Sequence, residues 1–380
     1  MDTKQNFHGF NGLRFISITT VILLHLFTFK ENFGLTEMTF PLQEIITYYG
    51  VQFFFAGSGF LITYLLLAEF KKNATVSLKD FYLRRILRLW PAYYLLIILA
   101  LLVVLKLPFF DIPELTAEYL QADYTKSNLL YFLFLPHIQP HFFPTAPYIH
   151  QTYTVGIEMQ FYFLWGLIFF LIPKFTKKLF IGILVGAIIL NFTHDFFYEN
   201  WVQMKSSFVV SLLLKIATYI EYSRFSTFAL GGLFAYAFFE EKQWLSIFKS
   251  PLVQAILYLV VLFSLYYDIY IPFCRDEYIA FLILCILTAA TYKKTSIINF
   301  SAGWLSFLGK ISYGIYLFHI FAIVFAIKIC TEVLEFDVTT NFQLGVLIAI
   351  TMGLSILFGL ISYYTIEKYF LNIKKRFQKI

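Results

Sequence analysis

Charge is what this sequence has least of. Only 14% of its 380 residues are Asp, Glu, Lys or Arg, against about 25% in soluble domains. So few charges cannot cover a water-exposed surface, and a water-soluble fold of this length would leave broad apolar patches open to solvent. A soluble enzyme, a disordered chain and a nucleic-acid binder are all excluded on that ground. Cysteine is nearly absent as well. Cys274, Cys285 and Cys330 make no paired framework and no CxxC motif. There is no His-Glu-x-x-His and no Gly-x-x-x-x-Gly-Lys-Ser/Thr, so nothing points to a metal or to a nucleoside triphosphate. His137, His141 and His150 are loop histidines near proline, a setting where the ring usually faces water. No metal and no permanently bound cofactor is expected.

What the sequence has in plenty is apolar and aromatic side chains. Hydrophobic types make up 59%, with 48 Phe and 27 Tyr, and the mean hydropathy is +0.73. This composition describes an integral membrane protein whose main partner is the lipid bilayer. The first apolar run is followed by Phe27-Thr28-Phe29-Lys30 rather than by a small-residue cleavage site, so it reads as a span and not a signal peptide.

A bilayer core of about 30 Å needs roughly 20 apolar residues per helix. Ten candidates meet or approach that length: 13–29, 46–69, 90–105, 150–172, 179–192, 222–239, 252–267, 278–292, 307–330 and 342–365. The apolar piece at 129–136 is too short to span. With no internal repeat and no linker, residues 1–380 read as a single all-α, polytopic domain of about ten transmembrane helices.

Loop charge gives the direction. If the N-terminus is cytoplasmic and ten helices alternate, 19 of the 29 Lys and Arg fall in cytoplasmic segments. These include Lys4, the group from Lys71 to Arg88, Lys174, Lys177, Lys178, and the tail from Lys368 to Lys379. Six fall outside: Lys30, Lys106, Lys126, Lys205, Lys215 and Arg275. Such an excess follows the positive-inside rule with both termini cytoplasmic.

Polar groups inside spans are expensive and mark function by default. Arg14 and His25 lie in the first span, eleven residues apart, which puts them on one helix face about 16 Å apart. Glu158 lies in the fourth span and His319 in the ninth. Counting from the span ends, His25, His319 and Glu158 come to roughly 20, 18 and 18 Å above the inner face. The spacing therefore predicts one layer of titratable groups, with the carboxylate beside an imidazole whose basicity it would raise. The bland alternative is a structural hydrogen-bond cluster. Ser58 and Gly59 bring a hydroxyl and a close-approach position to the second span. Arg84, Arg85 and Arg88 share a helix face at i, i+3 and i, i+4 spacing. Clustered guanidiniums suit phosphates, although plain positive-inside anchoring would also use them.

These pieces, in this order, resemble acyltransferase family 3 of the membrane O-acyltransferases. Gly12-Leu13-Arg14 with His25 is similar to its first-helix motif, and Phe53 to Leu61 to its second. Arg85-Ile86-Leu87-Arg88 before Leu89-Trp90-Pro91 resembles its Arg-x-x-Arg element. Tyr153 to Tyr162 around Glu158, Ser312 to His319, and Ile366-Glu367 resemble later elements. Tyr153-Thr154 stand where Trp-Ser is common, and Phe318 where Trp is frequent.

The resemblance covers about residues 7–370. It implies a stand-alone form without the C-terminal esterase-like extracytoplasmic domain that some members carry.

It also implies transfer of an acyl group, most often acetyl from acetyl-CoA as co-substrate, to a hydroxyl of an extracytoplasmic glycan or other acceptor, in a bacterial cytoplasmic membrane. In that reading Arg14, Arg84, Arg85 and Arg88 hold the CoA phosphates, and the pantetheine arm passes Ser58 and Gly59. His25 is the general base, and Glu158 orients it or binds the acceptor. Tyr313 and His319 polarise the thioester carbonyl. An acyl-histidine intermediate and direct transfer both remain open. The competing class is a proton-coupled transporter or glycan exporter, since intramembrane His and Glu also build proton relays. Against it, the sequence lacks paired broken helices in two symmetric halves.

Overall fold

The computed structural model describes residues 7–36, 43–113, 115–116, 119, 124–136, 146–203, 220 and 222–377. His137, His141, Lys4, Lys205, Lys215 and Lys379 lie outside the described residues. Every described regular element is helical: α1 (Phe10–Asn32), α2 (Gln43–Asn73), α3 (Leu78–Leu102), α4 (Tyr124–Phe132), α5 (Tyr153–Leu171), α6 (Thr176–Gln203), α7 (Phe225–Phe239), α8 (Pro251–Tyr267), α9 (Arg275–Thr291), α10 (Gly303–Lys310), α11 (Ser312–Lys328), α12 (Asn341–Ser362) and α13 (Lys368–Lys374), with short 3₁₀ and π turns between. In a bilayer only such self-satisfied backbone can span.

All ten candidate spans coincide with helices. Seven segments are long and apolar enough to cross a membrane: α1, α2, α3, α5, α6, α11 and α12, some extended by an adjoining turn. The helices at 225–239, 251–267 and 275–291 are shorter, with 15, 17 and 17 residues. The second of these forms an eighth apolar unit with the turn at Gln243–Lys249, at an 83° bend. The ninth candidate starts later than its hydropathy suggests. Residues 303–310 form a separate short helix, α10, which turns Trp304 and Phe307 outward. The piece around 129–136 is the nine-residue α4 and ends there.

Local signals fix several helix ends. Ser77 caps α3 by accepting from the Asp80 N–H at 3.3 Å. Thr340 and Gln343 close a capping box on α12. Pro251 takes the first turn of α8, where its missing N–H is no loss. Pro91 sits inside α3, which transmembrane helices tolerate because neighbours re-satisfy the freed groups.

The bundle has a buried axis and lipid-facing walls. α11 is apolar on every side, and its residues from Ser312 to Val324 are all buried, as expected of a helix ringed by others. Along α6 and α8, Ile181, Val185 and Ile189, and Leu252, Ile256, Leu259 and Phe263, are exposed. Their three- and four-residue spacing makes an apolar stripe of the kind that lipid covers. α2 and α7 cross tightly. A Cβ on Gly59 would collide with the Phe228 backbone, and one on Gly231 with the Ala56 carbonyl. These are the small-residue contacts that bring membrane helices together.

Two ion pairs tie helix ends. Arg84 donates to Glu69 at 2.7 Å and to the Phe377 carbonyl at 3.0 Å, while Glu69 also accepts from the Ser77 N–H at 2.8 Å. This closes the α2–α3 hairpin. At the opposite end of α2, Asp276 accepts from Arg224, Tyr48 and Gln52, and Gln52 accepts from Thr227 at 3.1 Å. That network joins α2, α7 and α9. The three cysteines are free.

Candidate active site

α1, α2, α3, α5 and α11 surround a pocket. Arg14 and Ile18 come from α1, Phe54 and Ser58 from α2, and Arg85 and Arg88 from α3. Thr154, Glu158 and Tyr162 come from α5, and Ser312, Tyr313 and Tyr316 from α11. Four of these lining residues are charged: three arginines and one carboxylate. Glu158 accepts from Ser58 Oγ at 2.5 Å and from the Tyr162 hydroxyl. Arg85 lies over the Tyr162 ring at 5.4 Å and over Phe81 at 5.8 Å. Among the described residues its buried Nε has no hydrogen-bond partner. Arg14 and Arg88 make no hydrogen bond or ion pair among the described residues; Arg14 lies 6.0 Å from the Phe10 ring.

One turn further along α11 the chemistry changes. His319 is fully buried. Its Nδ1 lies 2.5 Å from the Tyr316 carbonyl, and its Nε2 lies 2.7 Å from His25 Nδ1. The two rings stack, with centroids 4.9 Å apart and planes 21° apart. A carbonyl only accepts, so His319 Nδ1 carries the hydrogen. In the neutral ring His319 Nε2 is then the acceptor, and His25 Nδ1–H donates to it. This chain leaves the lone pair of His25 Nε2 free, which is what a general base requires.

The sequence places His25 and His319 together, and they meet. Glu158 does not join them. Thr154 Oγ1 and the Tyr316 hydroxyl are 2.6 Å apart, which sets the register of α5 against α11. From that level Glu158 lies four residues along α5 and shares the pocket with Tyr313, whereas His319 lies three residues along α11 the other way. At 1.5 Å per residue the carboxylate and the imidazole are separated by about 10 Å along the axis. Depth counted from hydropathy edges carried that error, and the partner of His25 is a second histidine rather than Glu158.

Four further residues sit in a geometry different from the one expected. Arg84 is consumed by Glu69 and Phe377 and does not line the pocket. Gly59 faces the Phe228 backbone and serves helix packing. The Tyr313 hydroxyl donates to the Leu89 carbonyl at 2.8 Å, so its proton is not available to a thioester. His319 spends both ring nitrogens on Tyr316 and His25, so neither is free to polarise a carbonyl. Arg14, Ser58, Arg85, Arg88 and Tyr313 do line the pocket.

Sequence reasoning passed over three residues. His150, set aside as a loop histidine, has its ring 6.1 Å from that of His25, edge to face. Tyr162 and Tyr316 were quoted in motifs but given no role. The i, i+4 spacing of Glu158 and Tyr162 was the available signal, because such residues face each other on a helix. Nothing in the sequence flags His150 as a neighbour of His25. Among the described residues no group of three or more His, Cys, Asp or Glu is arranged to hold a metal.

Residues 7–360 match the sequence profile of the family described as Acyltransferase domain. The chain is 31% identical over 188 residues to the peptidoglycan O-acetyltransferase OatA of Listeria monocytogenes, covering 48% of this chain and 27% of that protein. It is 27% identical over 333 residues to the O-acetyltransferase OatA of Staphylococcus aureus, covering 83% of this chain and 50% of that protein. The chain thus spans from a quarter to a half of the length of these curated relatives. No solved structure matches it.

Proposed function

Because the chain belongs to the membrane O-acyltransferases of acyltransferase family 3, whose profile its residues 7–360 match, we propose that it moves an acetyl group from acetyl-CoA to a hydroxyl of an extracytoplasmic carbohydrate. One observation carries the donor. The pocket is lined by three arginines and one glutamate, two positive charges in excess. Buried charge of one sign is costly unless a ligand balances it. The phosphates of CoA do so, and guanidiniums bind them through paired hydrogen bonds. The carbohydrate acceptor is supported by the relatives, whose names specify O-acetyl transfer and, in one case, peptidoglycan.

In this reading Arg14, Arg85 and Arg88 hold the phosphates, and Ser58 and Glu158 line the path of the pantetheine arm. The acceptor hydroxyl approaches from the His150 side. His25 Nε2 takes its proton while the oxygen attacks the thioester carbonyl. The C–O bond forms, the C–S bond breaks, and the proton passes to the departing thiolate. His319 holds His25 in the required tautomer and shares the transient charge through the ring-to-ring hydrogen bond. The Lys and Arg distribution supports a cytoplasmic mouth for the arginine pocket and cytoplasmic termini, in a bacterial cytoplasmic membrane.

The test is a purified preparation in proteoliposomes with radiolabelled acetyl-CoA and peptidoglycan fragments. Acceptor-dependent release of CoA is expected, and His25→Ala should abolish it. Movement of the acceptor across the bilayer with no CoA release would overturn the reading in favour of an exporter.

A further inference from the structure

The histidine pair lies outside the arginine pocket, and the Tyr316 ring touches both. Tyr316 lines the pocket, while His25 and His319 do not. The Tyr316 ring lies 5.9 Å from that of Phe54 on the pocket side and 5.7 Å from that of His319 on the other. Its hydroxyl donates to the Gln151 carbonyl at 2.6 Å, so the Thr154 hydroxyl, also 2.6 Å away, donates to it. Both partners belong to the turn and first helical residues that begin α5. The Gln151 side chain adds a second tie across the same seam, donating to the Leu317 carbonyl at 2.7 Å. The backbone carbonyl of Tyr316 meanwhile receives His319 Nδ1–H.

We propose that Tyr316 is a latched partition: it positions the histidine pair through its carbonyl, and through its hydroxyl it keeps the thioester in the arginine pocket apart from His25 until the acceptor is seated. The inference rests on the acyl-CoA reading of the pocket. Its physical content is simple. A bound thioester must pass the Tyr316 ring to reach His25 Nε2. If it passed before the acceptor arrived, water would take the acceptor's place. The water proton would go to His25 and then to the thiolate sulfur, the C–S bond would break, and acetate and CoA would leave. A ring fastened at its hydroxyl to α5 suppresses that loss, and the ring moves only when the start of α5 moves. His150 lies in the turn that begins α5 and its ring sits edge-on to His25, so an acceptor arriving there would push on the same segment.

The test measures two rates on each protein: acceptor-independent hydrolysis of acetyl-CoA and transfer to the acceptor. Tyr316→Phe keeps the ring and removes both hydroxyl bonds. Thr154→Val keeps the shape and removes one bond from the other side. In both, the ratio of hydrolysis to transfer should rise, by about tenfold for Tyr316→Phe, the scale of a lost buried hydrogen bond, and by less for Thr154→Val. A purely structural role would lower both rates together and leave the ratio fixed. An unchanged ratio in Thr154→Val, whose fold is the least disturbed, overturns the latch even if Tyr316→Phe fails to fold. Failure of the wild-type protein to consume acetyl-CoA at all would instead overturn the donor assignment, a distinct result.

Discussion

Arg224 and Arg85 are both largely withdrawn from solvent, yet the structure treats them differently. Arg224 meets Asp276, which also accepts from Tyr48 and Gln52, and Gln52 is satisfied in turn by Thr227. Every charge in that set has its counter-charge, so the set fastens α2, α7 and α9. Arg85 ends on two aromatic faces, with an unpartnered Nε, beside Arg14 and Arg88. The lesson concerns how to read buried guanidinium. A paired arginine is part of the scaffold, and an unpaired one is waiting for something. Arg84 falls with Arg224 on this criterion, although by sequence it stands in the same cluster as Arg85 and Arg88.

This comparison is open to attack at several points, from the largest effect to the smallest. Asp276→Ala should cost about 3 kcal/mol by stranding Arg224, read as a lowered unfolding midpoint in detergent, with donor KM unaltered in the folded fraction. Arg85→Ala should show no such loss, and a comparable destabilisation there would erase the distinction. His319→Gln should lower kcat about a hundredfold, roughly 2.7 kcal/mol, and leave donor KM alone, because His319 does not line the pocket. Arg88→Ala should raise donor KM about tenfold with a smaller change in kcat, whereas Arg84→Ala should reduce stability and leave KM in place. Glu277 sharpens the contrast from the scaffold side. It follows Asp276, is buried, and among the described residues neither of its carboxylate oxygens has a partner. Glu277→Leu should therefore stabilise the protein by about 1 kcal/mol, measured in the same unfolding assay.

The fold class was legible early because composition and hydropathy run length depend on the lipid solvent alone. All ten apolar runs fall on helices, the ninth divided between α10 and α11. Boundaries were less legible where a tertiary contact cuts a continuous apolar run. α10 is apolar enough to join α11, but Gly309 packs so closely on Asn11 of α1 that no Cβ fits there, and the chain turns at Ile311.

In the candidate site, the residue types were readable because an imidazole or carboxylate in a span is conspicuous. His25 and His319 were correctly brought to one depth. Glu158 was not, because its depth was counted from the edge of an apolar run, and the pairing of Thr154 with Tyr316 sets a different register.

The sequence alone determined that this is an all-helical membrane protein, which polar groups are held inside its spans, and which family its motifs resemble. Those properties follow from residue chemistry and spacing along one chain. Only the tertiary structure decided the partnerships: His319 for His25, Ser58 and Tyr162 for Glu158, and Glu69 for Arg84. It also placed the Tyr316 ring against both the pocket and His319. Partnerships between helices depend on their rotation and register. These are set by packing at close crossings such as Gly59 on Phe228, and no periodicity within a single helix records them.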